Sequence, residues 1–316
     1  MKHRWMRALM SLTLAGLLAA GLSGCDEGGN PPVEEEPQPV LDYPVTVGDV
    51  SLDSPPLRAV VLSPSLAEIV ADLGYADRLC GRSEECDFPS QVEALPSVGK
   101  TMMPDGGGVA ALDADLVLTQ APLPEETASF LEREGIPVAV IPAAASYEEL
   151  SELYAQVGQL FAGTETGARA GEALWQTLDA RMDEAAARLA GEEAPASLVY
   201  AVDSTGRVAT GDTFIGSVMA RAGLSNAAAA GTGWTLPESA DAAYVFCPVE
   251  EVETVRGLSA FQQLSAIAEG QVYGIPVDCM ERQGFRLAEG IEAMLQVLVP
   301  QAEETTAGET ENTAAP

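Results

Sequence analysis

The feature that most restricts the fold is a long amphipathic stretch, residues 164–190, which separates two segments of similar pattern. Within it, apolar residues recur at three- and four-residue steps with charges between them. This predicts one helix of about seven turns, about 40 Å long. On both sides, short apolar runs alternate with helical patterns, which is typical of right-handed crossovers and a mainly parallel sheet. The sequence therefore predicts an α/β protein with two Rossmann-like lobes joined by a single long backbone α-helix.

The alternating pattern assigns separate strands and helices to each lobe. Apolar runs predict strands at residues 58–62, 116–119 and 137–141 before the long helix, and at 198–202, 244–247 and 272–275 after it. Shorter helices are expected at 65–74, 124–134, 214–222, 258–267 and 286–298. Ser65 and Glu68 have the spacing of a capping box at the start of the first of these. The predicted domains are a first lobe (57–145), a helical connector (146–193) and a second lobe (194–300).

The charge balance and the histidine count exclude several classes of function. The chain has 48 Asp and Glu against 16 Lys and Arg, a formal charge of −32, so it lacks the clustered cations that nucleic acid requires. Its single histidine is His3. Downstream of that residue, neither a Ser-His-Asp triad nor a histidine zinc site can be built. We therefore expect neither an enzyme nor a partner for nucleic acid, and no catalytic cofactor or bound metal.

Both ends of the chain have the composition of segments outside the folded core. Residues 1–24 combine a basic start, an apolar run and small residues, which is typical of a secretory signal peptide. Cys25 closes a Leu-Ser-Gly-Cys sequence that resembles the bacterial lipobox, so it is the expected lipidation site. Cleavage there would remove three cations and no acid, which changes the formal charge from −32 to −35. Residues 25–56, rich in Pro and Glu, predict a lipidated flexible tether, and 301–316 predict a disordered acidic tail.

Four cysteines remain after Cys25, an even number in an exported chain. We predict disulfides between Cys80 and Cys86 and between Cys247 and Cys279. Two alternatives stay open. The four thiols could be reduced, or Cys86, Cys247 or Cys279 could ligate a soft metal.

Several short motifs resemble, in order and spacing, the iron-complex (siderophore and haem) and cobalamin substrate-binding proteins of ABC importers. In the first lobe these are residues 60–68, Gly74, 86–89, 95–99 and 111–118, and in the second 211–215, 222–227, 270–273 and 281–287. The resemblance covers about residues 43–299. It implies a class III binding protein of the helical-backbone metal receptor type, in which the ligand occupies a cleft between the lobes and closure is limited.

The resemblance, together with the rule that ligands lie beyond the carboxyl ends of strands, places the cleft at the loops after each strand. The predicted ligand-binding residues are Ser63, Ser65, Cys86, Phe88, Lys100, Met102, Gln120, Asp203, Trp234, Pro248, Asp278, Met280 and Arg282. Trp234 lies in a Gly-rich loop, where an indole can act as a binding platform or pack in the core. Met102 and Met280 would supply an adaptable apolar lining.

The resemblance also implies partners. Family members dock on the transmembrane subunits of a permease, which works with a cytoplasmic ATPase, through one acidic residue on each lobe. By position these are Glu126, with Glu125 as its alternative, and Glu238. Acidic residues in the first turn of a helix also favour its dipole without any partner. We expect a monomer, anchored to the outside of the bacterial cell membrane by the lipid on Cys25.

The expected ligand follows from the charges of these loops. Ferric siderophores and haem are usually anionic and favour cationic sites, but the cleft loops offer few cations: Arg82, Lys100, Arg207 and Arg282. A corrinoid needs aromatic faces and hydrogen-bonding groups more than charge, which favours cobalamin over a ferric siderophore or haem. Free metal ions are the least favoured ligand. The alternative function is a solute-sensing or adhesive lipoprotein without a transporter.

Overall fold

The computed structural model describes residues 42–191 and 196–299. Its strands are β1 (Val45–Val47), β2 (Val50–Leu52), β3 (Ala59–Val61), β4 (Leu79–Arg82), β5 (Gly99–Lys100), β6 (Met103–Pro104), β7 (Leu116–Thr119), β8 (Val138–Val140), β9 (Leu198–Tyr200), β10 (Tyr244–Pro248) and β11 (Val272–Ile275). Its helices are α1 (Pro64–Asp72), α2 (Ser90–Glu93), α3 (Gly106–Ala111), α4 (Glu125–Arg133), α5 (Leu150–Ala162), α6 (Thr164–Ala190), α7 (Phe214–Arg221), α8 (Val252–Gly257), α9 (Ser265–Ala268), α10 (Asp278–Glu281) and α11 (Leu287–Leu298).

Each lobe is built on its own parallel sheet. The first sheet has the strand order β4-β3-β7-β8 and the second the order β11-β10-β9, and every neighbouring pair in both is parallel. All residues of β3, β7 and β9 are buried, as expected for strands covered by helices on both faces. The predicted α/β architecture with two lobes is confirmed.

The lobes are joined by α6, whose 27 residues match the predicted helix from end to end. It packs against α5 along a seam of glycines, Gly158 on α5 and Gly167 and Gly171 on α6. A Cβ atom on Gly167 would lie 2.1 Å from the carbonyl oxygen of Gly158. The two helix backbones therefore pack in direct contact, which is possible only because both positions lack a side chain. None of the helices in residues 42–191 and 196–299 is both long and apolar enough to span a membrane.

The folded structure begins earlier than the predicted tether allows. β1 and β2 form an antiparallel hairpin whose Val45 and Val47 side chains are buried in the core. The Tyr43 hydroxyl donates to the carbonyl oxygen of Leu160 on α5 at 2.7 Å, and the Asp42 carbonyl accepts from the Thr164 amide at 3.1 Å. From Asp42 onward, the predicted tether is therefore part of the fold. The signal peptide, Cys25 and the acidic tail lie outside the described residues.

The structure contains neither of the predicted disulfides, and the two members of each pair belong to different hydrophobic clusters. Cys80, Cys86, Cys247 and Cys279 are free thiols. Cys80 packs with Val60 and Val109 while Cys86 lies in the main core. Cys247 packs with Val245 and Cys279 joins the main core. Burial raises the pKa of Cys247 to about 11, so this thiol stays protonated near neutral pH and is a poor nucleophile or metal ligand.

Candidate ligand-binding cleft

The loops at the carboxyl ends of the two sheets are tied together by an ion cluster. We define the inter-lobe ion cluster as Glu68 on α1, Asp87, Asp278, Arg282 and Arg286. Nη1 of Arg282 lies 3.0 Å from Oε1 of Glu68 and 2.7 Å from Oδ1 of Asp87, and its Nη2 lies 2.9 Å from Oδ1 of Asp278. Nη1 of Arg286 lies 3.4 Å from the same Glu68 oxygen. The cluster therefore links the start of the last helix to the first lobe.

The centre of the inter-lobe ion cluster is shielded from water, although Asp87 at its edge is 54% exposed. The Glu68 side chain is 2% exposed and that of Arg282 11%. Burial raises the pKa of Glu68, while Arg282 and Arg286 oppose this by favouring the carboxylate. Burial alone would lower the pKa of Arg282, but Asp87 and Glu68 raise it above its usual value. The predicted capping box is wrong, because α1 has Ser63 at its N-cap without a side-chain cap and Glu68 points to the arginines instead.

The floor of the cleft is a polar junction centred on Gln283. Its side chain accepts from the Ala144 amide at 2.8 Å and donates to the Ala144 carbonyl at 2.6 Å, and its own backbone amide donates to Oγ of Ser65 at 3.0 Å. Gln120 donates to Gln283 at 3.4 Å and hydrogen-bonds Ser63. Three predicted residues, Ser63, Ser65 and Gln120, thus meet at one place. At this junction they connect the two lobes through Gln283. Gln283 was not among the residues predicted from the sequence.

A cavity of about 270 Å³ opens in the second lobe beside this junction. Its lining is Val202, Arg207, Phe214, Ile215, Trp234, Glu281 and Gln283. The guanidinium carbon of Arg207 lies 5.9 Å from the centre of the Trp234 ring, and Nη2 of Arg207 pairs with Oδ2 of Asp203 at 2.6 Å. Partial desolvation raises the pKa of Glu281, with a further contribution from Asp278. The predicted Trp234 and Asp203 are thereby brought together.

Phe214 and Glu281 are cavity residues that the sequence did not single out. Each sits at a helix end next to a loop, Phe214 opening α7 and Glu281 closing α10. Phe214 lies in the quoted 211–215 motif and Glu281 opens the quoted 281–287 motif. The motifs therefore carried a signal for both residues, but no local pattern showed that their side chains face the cavity.

Three predicted residues of the first lobe, Phe88, Lys100 and Met102, lie at the rim of the cleft. Phe88 is partly exposed and the guanidinium of Arg286 lies 4.7 Å from its ring centre. Lys100, which is exposed, ends β5, and Met102, which is 62% exposed, lies in the turn between β5 and β6. Oγ1 of Thr101 donates to the Leu62 carbonyl at 2.7 Å, which fixes this turn at the carboxyl end of β3. The rim therefore presents an aromatic ring, a thioether and one ammonium group.

Three predicted ligand residues are buried in the core rather than offered to the cleft. The Cys86 thiol lies under β3, 3.8 Å from the Val61 carbonyl oxygen. Met280 is fully buried against α11, where a Cβ on Gly290 would meet its sulfur at 2.7 Å. Pro248 is buried as the last residue of β10. Asp278 and Arg282 are occupied within the inter-lobe ion cluster, so they shape the cleft through that cluster.

The two predicted docking residues are exposed, one on each lobe. Glu126 lies in the first turn of α4, where it borders a shallow cavity of about 310 Å³ with Phe130 and Arg133. Glu238 follows the loop that carries Trp234 and borders a second shallow cavity of about 260 Å³. Both carboxylates are therefore accessible to a partner.

Comparison with known proteins agrees with this architecture. The heme-binding protein HutB of Vibrio cholerae has a similar fold, with a TM-score of 0.66 at 19% identity over 77% of this chain and 99% of that one. The uncharacterized ABC transporter substrate-binding lipoprotein YvrC of Bacillus subtilis is 25% identical over 300 residues, 90% of this chain and 95% of that protein. A cobalamin-binding protein of Halobacterium salinarum is 28% identical over 244 residues, 72% of this chain and 62% of its own length.

The family model agrees with the resemblance drawn from the short motifs. It is described as a periplasmic binding protein and matches residues 60–278, well over half of the chain. This confirms the prediction of a non-enzymatic binding protein that acts outside the cytoplasm. The chain belongs to the periplasmic binding protein family.

Proposed function

We propose that this protein is the extracytoplasmic substrate-binding component of an ABC importer and that it captures a corrinoid of the cobalamin type between its lobes. Family membership and the name of the YvrC relative support the importer role. The name of the Halobacterium relative supports the ligand, whereas that of the HutB structure points to haem. The choice between these ligands therefore depends on the chemistry of the cleft.

The observation that carries the choice is that the arginines of the cleft already have partners within the protein. Arg282 contacts three carboxylates, and Arg207 pairs with Asp203. Arg82 donates to the carbonyl oxygens of Ser83, Glu84 and Glu93. An anionic ligand would have to compete with these carboxylates or leave its own charge unpaired, and both are costly in a partly desolvated site. A ligand with neutral amides around an apolar ring meets no such penalty.

The cavity lining gives a second argument against haem. Haem iron is held in proteins by His, Cys, Met or Tyr. The described lining of the 270 Å³ cavity consists of Val, Ile, Phe, Trp, Arg, Glu and Gln side chains. These offer a stacking face at Trp234, apolar contacts at Phe214 and hydrogen-bonding groups at Glu281 and Gln283. They suit a metal chelate that takes no axial ligand from the protein.

We expect the full chain to bind cyanocobalamin, and Trp234→Ala to weaken this binding at least tenfold, because the indole supplies the largest stacking surface of the cavity. Isothermal titration calorimetry with cyanocobalamin, ferrichrome, ferric enterobactin and hemin measures each affinity without relying on tryptophan emission. Trp175→Phe, on α6, is the matched control and should leave the affinity unchanged. Tighter binding of ferric enterobactin or hemin than of cyanocobalamin would overturn the corrinoid assignment.

The proposal extends to the membrane partners. Lipid on Cys25 would hold the protein at the membrane, with the segment up to about residue 41 as a tether. Glu126 and Glu238 would pair with arginines on the two transmembrane subunits of the permease. Their exposure and their placement on different lobes support this arrangement.

The double change Glu126→Arg with Glu238→Arg is expected to abolish uptake and leave ligand affinity within twofold, because like charges would face the permease arginines. Uptake of labelled cobalamin by cells carrying the cognate permease measures the first effect and calorimetry the second. Glu132→Arg with Glu269→Arg is the matched control, since it makes the same charge change at exposed positions of the same two lobes. Normal uptake by the first double variant would remove both residues from the docking surface.

A further inference from the structure

The loop that carries Trp234 adopts a backbone conformation that side chains other than glycine rarely take. Gly233 has φ +61° and Trp234 has φ +67°, so two successive residues are left-handed. For a residue as bulky as tryptophan this is a costly conformation that persists only when neighbouring groups impose it. Trp234 is also the aromatic residue of the second-lobe cavity. The groups that impose its conformation therefore control the position of the indole.

Two side chains from the loop before α7 hold this backbone. The Asp212 carboxylate accepts from the Gly233 amide at 3.1 and 3.3 Å, and it accepts at 2.5 Å from the hydroxyl of Thr210. The Trp234 amide donates to that same hydroxyl oxygen at 3.4 Å. The Thr210 side chain is fully buried, so the hydroxyl has a fixed position. These bonds, mainly those of the Thr210 hydroxyl, lower the pKa of Asp212.

The carboxylate itself stands outside the cavity. Asp212 is exposed and is absent from the cavity lining, whereas Phe214, two residues later, is part of it. The Val208 amide completes the attachment by donating to the Trp234 carbonyl at 2.9 Å. The loop is therefore fastened on its backbone, which leaves the indole free to face the cavity, with Arg207 at 5.9 Å from the ring centre.

We propose that Asp212 and Thr210 are positioning residues for ligand binding, which act by clamping Gly233 and Trp234 in the left-handed conformation that aims the indole into the cavity. This inference rests on the proposed function only in that the ligand occupies this cavity. It assigns a specificity role to two side chains that need not touch the ligand. Removing the carboxylate should release the loop without changing the chemistry of the cavity wall.

The test uses the full chain with Trp5→Phe and Trp175→Phe, in which Trp234 is the only one of the three tryptophans left. In ligand-free protein, Asp212→Ala should reduce the near-ultraviolet circular dichroism of Trp234 at least twofold and lower its fluorescence anisotropy. Affinity for cyanocobalamin should fall five- to tenfold. Asp212→Asn, which keeps an oxygen acceptor for the Gly233 amide, should recover most of both signals.

The control is Asp241→Ala, which removes another exposed carboxylate that accepts from a backbone amide and a hydroxyl, both of Ser265, outside the described cavity lining. It should leave the Trp234 signals and the affinity unchanged. In a Trp234→Ala background, Asp212→Ala should cause no further loss of affinity. Unchanged dichroism in Asp212→Ala would overturn the clamp, as would an affinity loss that persists without Trp234. If the protein with Trp5→Phe and Trp175→Phe does not bind cyanocobalamin, the corrinoid assignment is wrong. The dichroism of its Asp212→Ala variant then tests the clamp by itself.

Discussion

Arg282→Ala is expected to lower the free energy of unfolding by about 3 kcal/mol, because it breaks the inter-lobe ion cluster and leaves a buried charge poorly compensated. Glu68 would keep only the Arg286 contact, at 3.4 Å, while its side chain is 2% exposed. Asp87 would lose its guanidinium partner, and Asp278 would keep only Arg286, at 3.7 Å. Urea denaturation followed by far-ultraviolet circular dichroism measures the difference. We also expect weaker ligand binding, since the cluster ties the segment before α11 to the first lobe.

The matched control is Arg169→Ala, which breaks an ion pair of similar length on the protein surface. Nη2 of Arg169 lies 3.0 Å from Oε2 of Glu165, but the two side chains are 75% and 78% exposed. Solvent screens such a pair, so its loss should cost less than about 0.5 kcal/mol. If the two variants lost similar stability, the inter-lobe ion cluster would have no special role in joining the lobes.

Most of the fold could be predicted because its signals are local. The apolar periodicity of α6 spans 27 residues, and the strands at 116–119 and 272–275 have the predicted bounds. The hairpin of β1 and β2 could not be predicted from the sequence, because two strands of three residues within a Pro-rich segment give too short a pattern. The disulfide prediction was wrong, because an even number of cysteines does not indicate which face of a sheet each thiol occupies.

The cleft was less predictable than the fold. The rule that ligand sites follow the carboxyl ends of strands led to Trp234 and Asp203, but the same rule also selected Cys86 and Met280, whose side chains turn into the core. Loop position fixes where a residue lies and not where its side chain points. The role of Gln283 depends on Ala144, 139 positions earlier in the chain, so no local pattern could show it.

Gly167→Ala is expected to cost about 4 kcal/mol of unfolding free energy, because the added methyl group would overlap backbone atoms of α5. Its Cβ would lie 2.1 Å from the Gly158 carbonyl oxygen and 2.6 Å from Cα of Gln159. No rotamer change can move either atom, so α5 and α6 must separate. Since α6 also joins the lobes, separation should disturb the cleft floor and reduce ligand affinity in any variant that still folds. Urea denaturation and calorimetry measure the two effects.

Gly257→Ala provides the contrast, since Gly257 is the last residue of α8 and an added Cβ would meet nothing within 4 Å. Its stability should change by less than about 1 kcal/mol, because only helix propensity differs there. Both variants make the same chemical change in a helix, so the difference between them isolates the cost of backbone contact. A Gly167→Ala protein as stable as Gly257→Ala would mean that α5 and α6 can repack without loss, and that their close approach does not hold the long helix in place.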